Sequence, residues 1–119
     1  MLKPRIFVIS KRKTYNVEYI SFDDKSYGVA EEDGLCEEYN FNEVFLMANT
    51  GFKDKNGKYM FEKDIVEYRN SFFKEAIRGV VNSNKKIVSN NVIINLEEYE
   101  GNGLEDIGNI YENKELLKC

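Results

Sequence analysis

Histidine and tryptophan are missing from this 119-residue chain, which also has one proline and two cysteines. Without histidine there is no His-dependent triad, no imidazole general base and no His-ligated metal site. Cys36 and Cys119 have no cysteine neighbour at metal spacing and are too few for a secreted disulfide framework, so both read as free thiols. Glu37 and Glu38 beside Cys36 raise rather than lower a thiol pKa, which argues against a nucleophile. Gly51 to Gly57 lacks the Gly-Lys-Ser/Thr ending of a phosphate loop, and Gly101-Asn-Gly103 reads as a turn. No apolar run approaches bilayer length, and the four-residue apolar stretch near the start is too short for a secretion signal. The expectation is a cytoplasmic protein.

Aromatics and charge are plentiful: 8 Tyr, 8 Phe, 17 basic and 21 acidic residues, for a net charge of −4. The length suits one domain, 1–119, with a core that needs no metal or disulfide staple. The charge is unevenly placed. Lys3, Arg5, Lys11, Arg12 and Lys13 make the start basic. Glu31, Glu32, Asp33, Glu37, Glu38 and Glu43 form one acidic block, and Glu97, Glu98, Glu100, Glu105 and Asp106 form another. Such asymmetry marks either a solvated face or a binding surface. Asp23/Asp24 and Glu31/Glu32/Asp33 lack the ordered array of a calcium loop, so no metal or other cofactor is expected.

Hydrophobic periodicity favours strands. Arg5 to Ser10 reads as one, and Tyr15 to Phe22 as another, with Tyr15, Val17 and Tyr19 on one face. Residues 23–43 read as a polar, acidic stretch with turn points at Gly28 and Gly34. Val44 to Met47 reads as a short buried strand. Asn56-Gly57 fits a tight hairpin turn in which both residues take positive φ. Tyr59 to Phe61, Asp64 to Tyr68, Lys86 to Val88, Val92 to Leu96 and Asp106 to Tyr111 read as further strands. Ser71 to Arg78 fits a short helix capped by Ser71, with a strand running into Gly79-Val-Val81 as its competitor. Asn113 reads as the cap of a last helical turn, Lys114 to Leu117. Glu62 and Asp64 read as turn-stabilising rather than catalytic residues. Many short strands separated by turns argue for a small all-β barrel.

Two segments carry a resemblance. Leu46-Met-Ala-Asn-Thr-Gly-Phe-Lys-Asp-Lys-Asn-Gly-Lys58 with Met60-Phe-Glu-Lys-Asp-Ile-Val66, and Ile107-Gly-Asn-Ile-Tyr-Glu-Asn-Lys-Glu-Leu-Leu117, resemble the motifs of the YopX family of bacteriophages and prophages. Lys63 stands where the family has glycine, and Lys114 where it has proline. If the glycine has positive φ, Lys63 is strained by about 1 kcal/mol or more. The resemblance implies a mainly β fold, a small barrel of the Src-homology-3-like type with one or two short helices. It also implies self-association, residence in a bacterial host cell and no established enzymatic activity.

The functional expectation is therefore a non-enzymatic, phage-encoded protein that modulates host or phage machinery, inhibition of host defence such as an anti-CRISPR role being one form. Its partner is a protein, and the candidate contact residues are Glu31, Glu32, Asp33, Glu37, Glu38, Glu97, Glu98 and Glu100. The alternative is a small nucleic-acid-binding regulator using Lys11, Arg12, Lys13 and Tyr15. A sequence pI near 5.0 disfavours that alternative.

Overall fold

A computed structural model describes residues 2–69, 75–89, 92–100 and 102–117. The chain is mainly β and divides into two compact units, Met1–Ala48 and Asn49–Cys119. Among the described residues no helix is long and apolar enough to cross a membrane.

In the first unit, β1 (Arg5–Val8), β2 (Lys13–Ser21), β3 (Ser26–Ala30), β4 (Cys36–Asn40) and β5 (Val44–Met47) pair antiparallel in the order β4-β3-β2-β1-β5. Alternation puts Ile6 and Val8 of β1 into a core with Val17, Tyr27, Val29, Tyr39 and Val44. Burying each aliphatic side chain contributes about 1.5–3 kcal/mol.

Four expectations change here. The register of β2 on β3 slips between Val17 and Tyr19, so Glu18 forms a bulge. Beyond it the alternation inverts: Ile20 packs on the core and Tyr19 is 44% exposed. Gly28 is no turn residue but lies mid-strand opposite Tyr19, where a Cβ would come within 2.1 Å of the tyrosine ring. The acidic stretch also contains two strands, and β5 is an edge strand rather than a buried one, with Phe45 and Leu46 about half exposed.

The second unit has β6 (Asn49–Lys53) and β7 (Tyr59–Phe61) as a two-stranded hairpin. Its five-stranded sheet contains β8 (Asp64–Tyr68), β9 (Ile77–Val81), β10 (Lys86–Ser89), β11 (Val92–Asn95) and β12 (Leu104–Asn109), in the order β11-β10-β9-β8-β12. A single turn of helix, α1 (Leu96–Tyr99), joins β11 to β12, and Asn95 caps it by accepting the Glu97 N–H at 3.1 Å. The core is Met60, Val66, Val81, Ile87, Ile94, Leu96 and Leu104. Both five-strand orders are open among the described residues.

The helix expected over Ser71 to Arg78 gives way to its competitor where it can be judged: Ile77 and Arg78 open β9, while residues 71–74 lie outside the described residues. The Lys114–Leu117 turn forms as a 3-10 helix. Asn113 joins it through its main chain, accepting the Leu116 N–H at 2.9 Å. Its side chain turns the other way and accepts the Asn109 N–H.

One turn design recurs. Asp54 donates its N–H to the Lys58 carbonyl at 2.8 Å, and Gly57 donates to the Asp54 carbonyl at 3.0 Å. Glu31 to Leu35 and Asn82 to Lys86 repeat both bonds. The left-handed position is Gly34 (φ 85°), Gly57 (φ 79°) and Lys85 (φ 60°) respectively. These are three-residue hairpin loops, a type I turn followed by a left-handed residue. The two-residue turn expected at Asn56-Gly57 is thus corrected, since Asn56 does not take positive φ. The Asp54 carboxylate selects the longer loop by accepting the Asn56 and Lys58 N–H groups, both at 2.9 Å.

Candidate partner-binding surface

The bulge in β2 and the turn at Glu31 to Leu35 bring the basic start and the first acidic block together. Lys11 Nζ lies 3.3 Å from Glu31 and 5.3 Å from the centre of the Tyr39 ring. The Tyr39 hydroxyl donates to the same Glu31 carboxylate at 3.0 Å. Lys13 Nζ lies 3.1 Å from Glu32 and 5.3 Å from the Tyr15 ring centre, and Tyr15 stacks on Tyr39 at 6.0 Å. Lys11, Lys13, Glu31, Glu32, Asp33 and Glu37 line an open hollow of about 330 Å³. Lys11 and Lys13 of the basic candidate surface and Glu31, Glu32, Asp33 and Glu37 of the acidic one are therefore a single mixed-charge surface in the first unit.

The pairings shift the titrations. The Lys11 ammonium is held above its ordinary value by the Tyr39 hydroxyl first and by Glu31 second. Lys13 is raised by its hydrogen bond to Glu32. Burial raises the Tyr39 phenol against the opposing influence of Lys11. Tyr19 is raised chiefly by its hydrogen bond to Glu38.

The candidate acidic residues thus differ in availability. Glu31 is committed to Lys11 and Tyr39. Glu38 accepts the Ser26 hydroxyl at 2.9 Å. Asp33 accepts the Leu35 N–H at 2.9 Å and shapes the turn. The Glu32 side chain is 90% exposed despite its lysine, and Glu37 stands exposed on the edge strand β4. Leu35, 65% exposed, lies among them. Glu97, Glu98 and Glu100 belong to the second unit, where Glu97 and Glu98 are exposed on α1 and Glu100 accepts the Lys53 N–H at 3.0 Å. Of the remaining candidates for nucleic-acid binding, Arg12 occupies a left-handed turn position (φ 51°), and Tyr15 is half-buried between Lys13 and Tyr39.

The second unit has an ionic cluster that periodicity alone does not reveal. Glu67 of β8 is 6% exposed and accepts from Arg69 Nε at 2.8 Å and Arg78 Nε at 2.9 Å. Arg78 also donates to the Leu116 carbonyl at 3.1 Å. Burial pushes the Glu67 carboxyl up, but the two arginines outweigh it and the net shift is downward. Register could have suggested the Glu67–Arg78 pair, because the two are direct cross-strand partners.

The resemblance segments serve as structure. Asp64 accepts the Phe61 N–H at 2.8 Å, closing the turn that contains Lys63. Lys63 takes φ 74°, which meets the expectation of strain at the family's glycine position. Gly108 follows a bulge in β12, and a Cβ there would lie 2.4 Å from the Asn113 side chain. Among the described residues no group of three or more Cys, Asp or Glu is placed to hold a metal ion.

No curated protein matches the chain. Among solved structures it is similar to protein EF1440 from Enterococcus faecalis, with a TM-score of 0.57 and 23% identity over 98% of this chain and 97% of that one. At that identity the likeness supports the fold alone. The family model described as YopX protein matches residues 3–118, and on that match the chain belongs to the YopX family.

Proposed function

We propose that this is a phage-encoded, non-enzymatic binding protein that modulates host or phage machinery through protein contacts on the acidic surface of its first unit. Inhibition of host defence, as by an anti-CRISPR protein, is one form of that role. The supporting observation is the exposed stretch that holds Glu32, Leu35 and Glu37: the Glu32 side chain is 90% exposed, Glu37 is exposed on β4, and Leu35 between them in the chain is 65% exposed. Exposed carboxylates next to an exposed apolar side chain suit recognition of a basic protein, where charge steers the encounter and the apolar contact holds it. Glu97, Glu98 and Glu100 extend the proposal to the second unit.

The nucleic-acid alternative draws less support from the geometry. Lys11 and Lys13 are engaged by carboxylates, and Tyr15 already has a lysine and a tyrosine on its ring. The Src-homology-3-like barrel belongs to the same reading for the second unit. It is supported by a four-strand meander β8 to β11, a one-turn helix, and a last strand that returns to pair with β8.

The test is affinity capture from bacterial host lysate with the wild type and a Glu31→Lys, Glu32→Lys, Glu37→Lys, Glu38→Lys variant. The proposal expects a captured protein whose recovery falls sharply with the variant. Equal recovery from both would show that the acidic surface is not the contact.

A further inference from the structure

Four strands end the two five-stranded sheets, and they are not alike. The edge of β12 is taken: its Leu104 carbonyl accepts the Lys55 N–H at 2.8 Å, and its Asp106 N–H donates to the Asp54 carboxylate at 3.0 Å. β5 (Val-Phe-Leu-Met) and β11 (Val-Ile-Ile-Asn) carry no charge and so set no charge condition on a partner. Among the described residues, β4 (Cys36-Glu-Glu-Tyr-Asn40) is the open edge of these sheets that carries charge, and all of it but Tyr39 is exposed.

The ladder decides which main-chain groups of β4 face outward. Glu31 donates its N–H to the Leu35 carbonyl and Phe41 donates to the Lys25 carbonyl, both at 2.8 Å. Bonded pairs alternate in an antiparallel ladder, so between those two the bonded pairs are Val29 with Glu37 and Tyr27 with Tyr39. Cys36 and Glu38 sit at unbonded positions, opposite Ala30 and Gly28, and turn their N–H and carbonyl groups away from β3. Successive side chains leave a strand on opposite faces. Glu37 therefore shares the face of Tyr39, and Glu38 lies on the other. There the Glu38 carboxylate accepts the Ser26 hydroxyl at 2.9 Å and keeps capacity for further donors.

We propose that an extended, dibasic segment of the protein partner adds to β4 as a further strand of this sheet. The proposal rests on the reading of the acidic surface as a protein contact and specifies how that contact is made. The outward groups of Cys36 and Glu38 supply the main-chain hydrogen bonds. Two consecutive cations, one on each face of the added strand, meet Glu37 and Glu38. Opposite Glu37 the strands form an unbonded pair, in which facing side chains approach more closely. The same carboxylates would set like charge against like if β4 met its own copy, so the edge is closed to its own kind and open to a cationic strand.

The probe is an acetylated and amidated peptide, Val-Thr-Arg-Arg-Thr-Val, titrated to about 2 mM into the full chain and followed by amide NMR with hydrogen exchange. The wild type is expected to bind it, and the Cys36 and Glu38 amides to gain protection that the Glu37 and Tyr39 amides already have. The same peptide with Glu-Glu in place of Arg-Arg is expected not to bind. Cys36→Pro keeps every charge and removes an N–H that β3 does not use, at the outer side of an edge where proline is tolerated. It is expected to weaken binding at least fivefold, and Cys36→Val to retain it. Methylating the nitrogens of alternate peptide residues blocks one edge of the peptide and tests pairing independently of how Cys36→Pro folds. One of the two alternate forms is expected to bind as the parent does and the other to lose binding. No binding of the parent peptide, binding without protection at Cys36 and Glu38, or equal binding of the two methylated forms would each overturn strand addition. Loss of binding in Glu37→Lys, Glu38→Lys with full binding by a folded Cys36→Pro would overturn it too, and would leave the acidic surface standing as a protein contact. That surface itself falls only if the wild type and the charge-reversed variant recover host protein equally.

Discussion

The carboxylate of Asp54 accepts the main-chain N–H of Asp106 at 3.0 Å, tying the first segment of the family resemblance to the residue just before the second across 52 positions of sequence. Its other oxygen holds the Asn56 and Lys58 amides of its own turn, and the next residue, Lys55, donates its N–H to the Leu104 carbonyl at 2.8 Å. Asp54 is 2% exposed. One side chain therefore sets the loop of the β6–β7 hairpin and ties it to β12. Asp54→Ala leaves three amide donors without this acceptor, and urea unfolding is expected to show a loss of about 2–4 kcal/mol. A loss below about 0.5 kcal/mol would place that residue among ordinary surface positions.

Lys63 offers the opposite sign. It holds φ 74°, its N–H bonds to the Val81 carbonyl at 2.9 Å and its carbonyl accepts the Ile110 N–H at 3.0 Å, so the backbone cannot relax without breaking both. The left-handed conformation costs a non-glycine residue about 1–2 kcal/mol. Glycine loses more chain entropy on folding, which offsets part of that gain. Lys63→Gly is expected to raise stability by about 0.5–1 kcal/mol, read from the denaturation midpoint. Lys85→Gly is expected to act in the same direction, reduced by loss of the Lys85 contact with the Phe52 ring. A fall in the Lys63→Gly midpoint would contradict the strain.

Two mid-strand glycines should respond differently to alanine. At Gly79 a Cβ would lie 2.6 Å from both the Ile87 side chain and the Val88 carbonyl. The carbonyl belongs to the ladder and cannot move alone, so Gly79→Ala is expected to cost about 2–3 kcal/mol. At Gly28 the obstacle is the ring of Tyr19, which can swing toward solvent. Gly28→Ala is expected to cost less, and adding Tyr19→Ala to remove the penalty that depends on the ring. A double-mutant cycle measures this, and strict additivity would exclude the contact.

Acid should unfold the second unit partly through Glu67. Its folded carboxyl titrates below its ordinary value, so the folded state favours the carboxylate more than the unfolded chain does. The resulting stability is complete above the unfolded glutamate pKa and is lost as pH falls through the lower folded value. Glu67→Gln is expected to flatten the acid limb of the stability–pH profile, and Arg78→Ala to shift that limb toward neutral pH. An unchanged limb in Glu67→Gln would remove Glu67 from acid unfolding.

Much of this is legible in the residues, up to definite limits. Arg5-Ile-Phe-Val8, Asp64 to Tyr68, Lys86 to Val88 and Val92 to Asn95 announce themselves as short runs rich in Ile and Val between turn residues, although β1 and β8 are buried at consecutive positions rather than alternately. The strain at Lys63 is also legible, from a lysine standing in a glycine position. The Glu18 bulge is not, because a single extra residue changes no composition, yet it reverses every face after it and exposes Tyr19. Cys36 to Asn40 hides its strand because an edge tolerates charge, and only Tyr39 points inward. Asn56-Gly57 suggests the wrong loop length because the deciding group is the Asp54 carboxylate two residues earlier. The Lys11–Glu31 and Lys13–Glu32 pairs need a tertiary register that separate charge blocks do not encode. For that reason the basic start and the first acidic block look like alternatives in the sequence and are one surface in the fold.

The proposed contact is tested most directly by titrating the purified protein captured from host lysate against the wild type and against Glu32→Lys, Asp33→Lys, Glu37→Lys, at low and at physiological salt. Charge-steered binding predicts an affinity for the wild type that falls as salt rises, and a loss of at least tenfold in the variant at low salt. Equal affinities for the two proteins, with no dependence on salt, would contradict the acidic surface as the site of recognition.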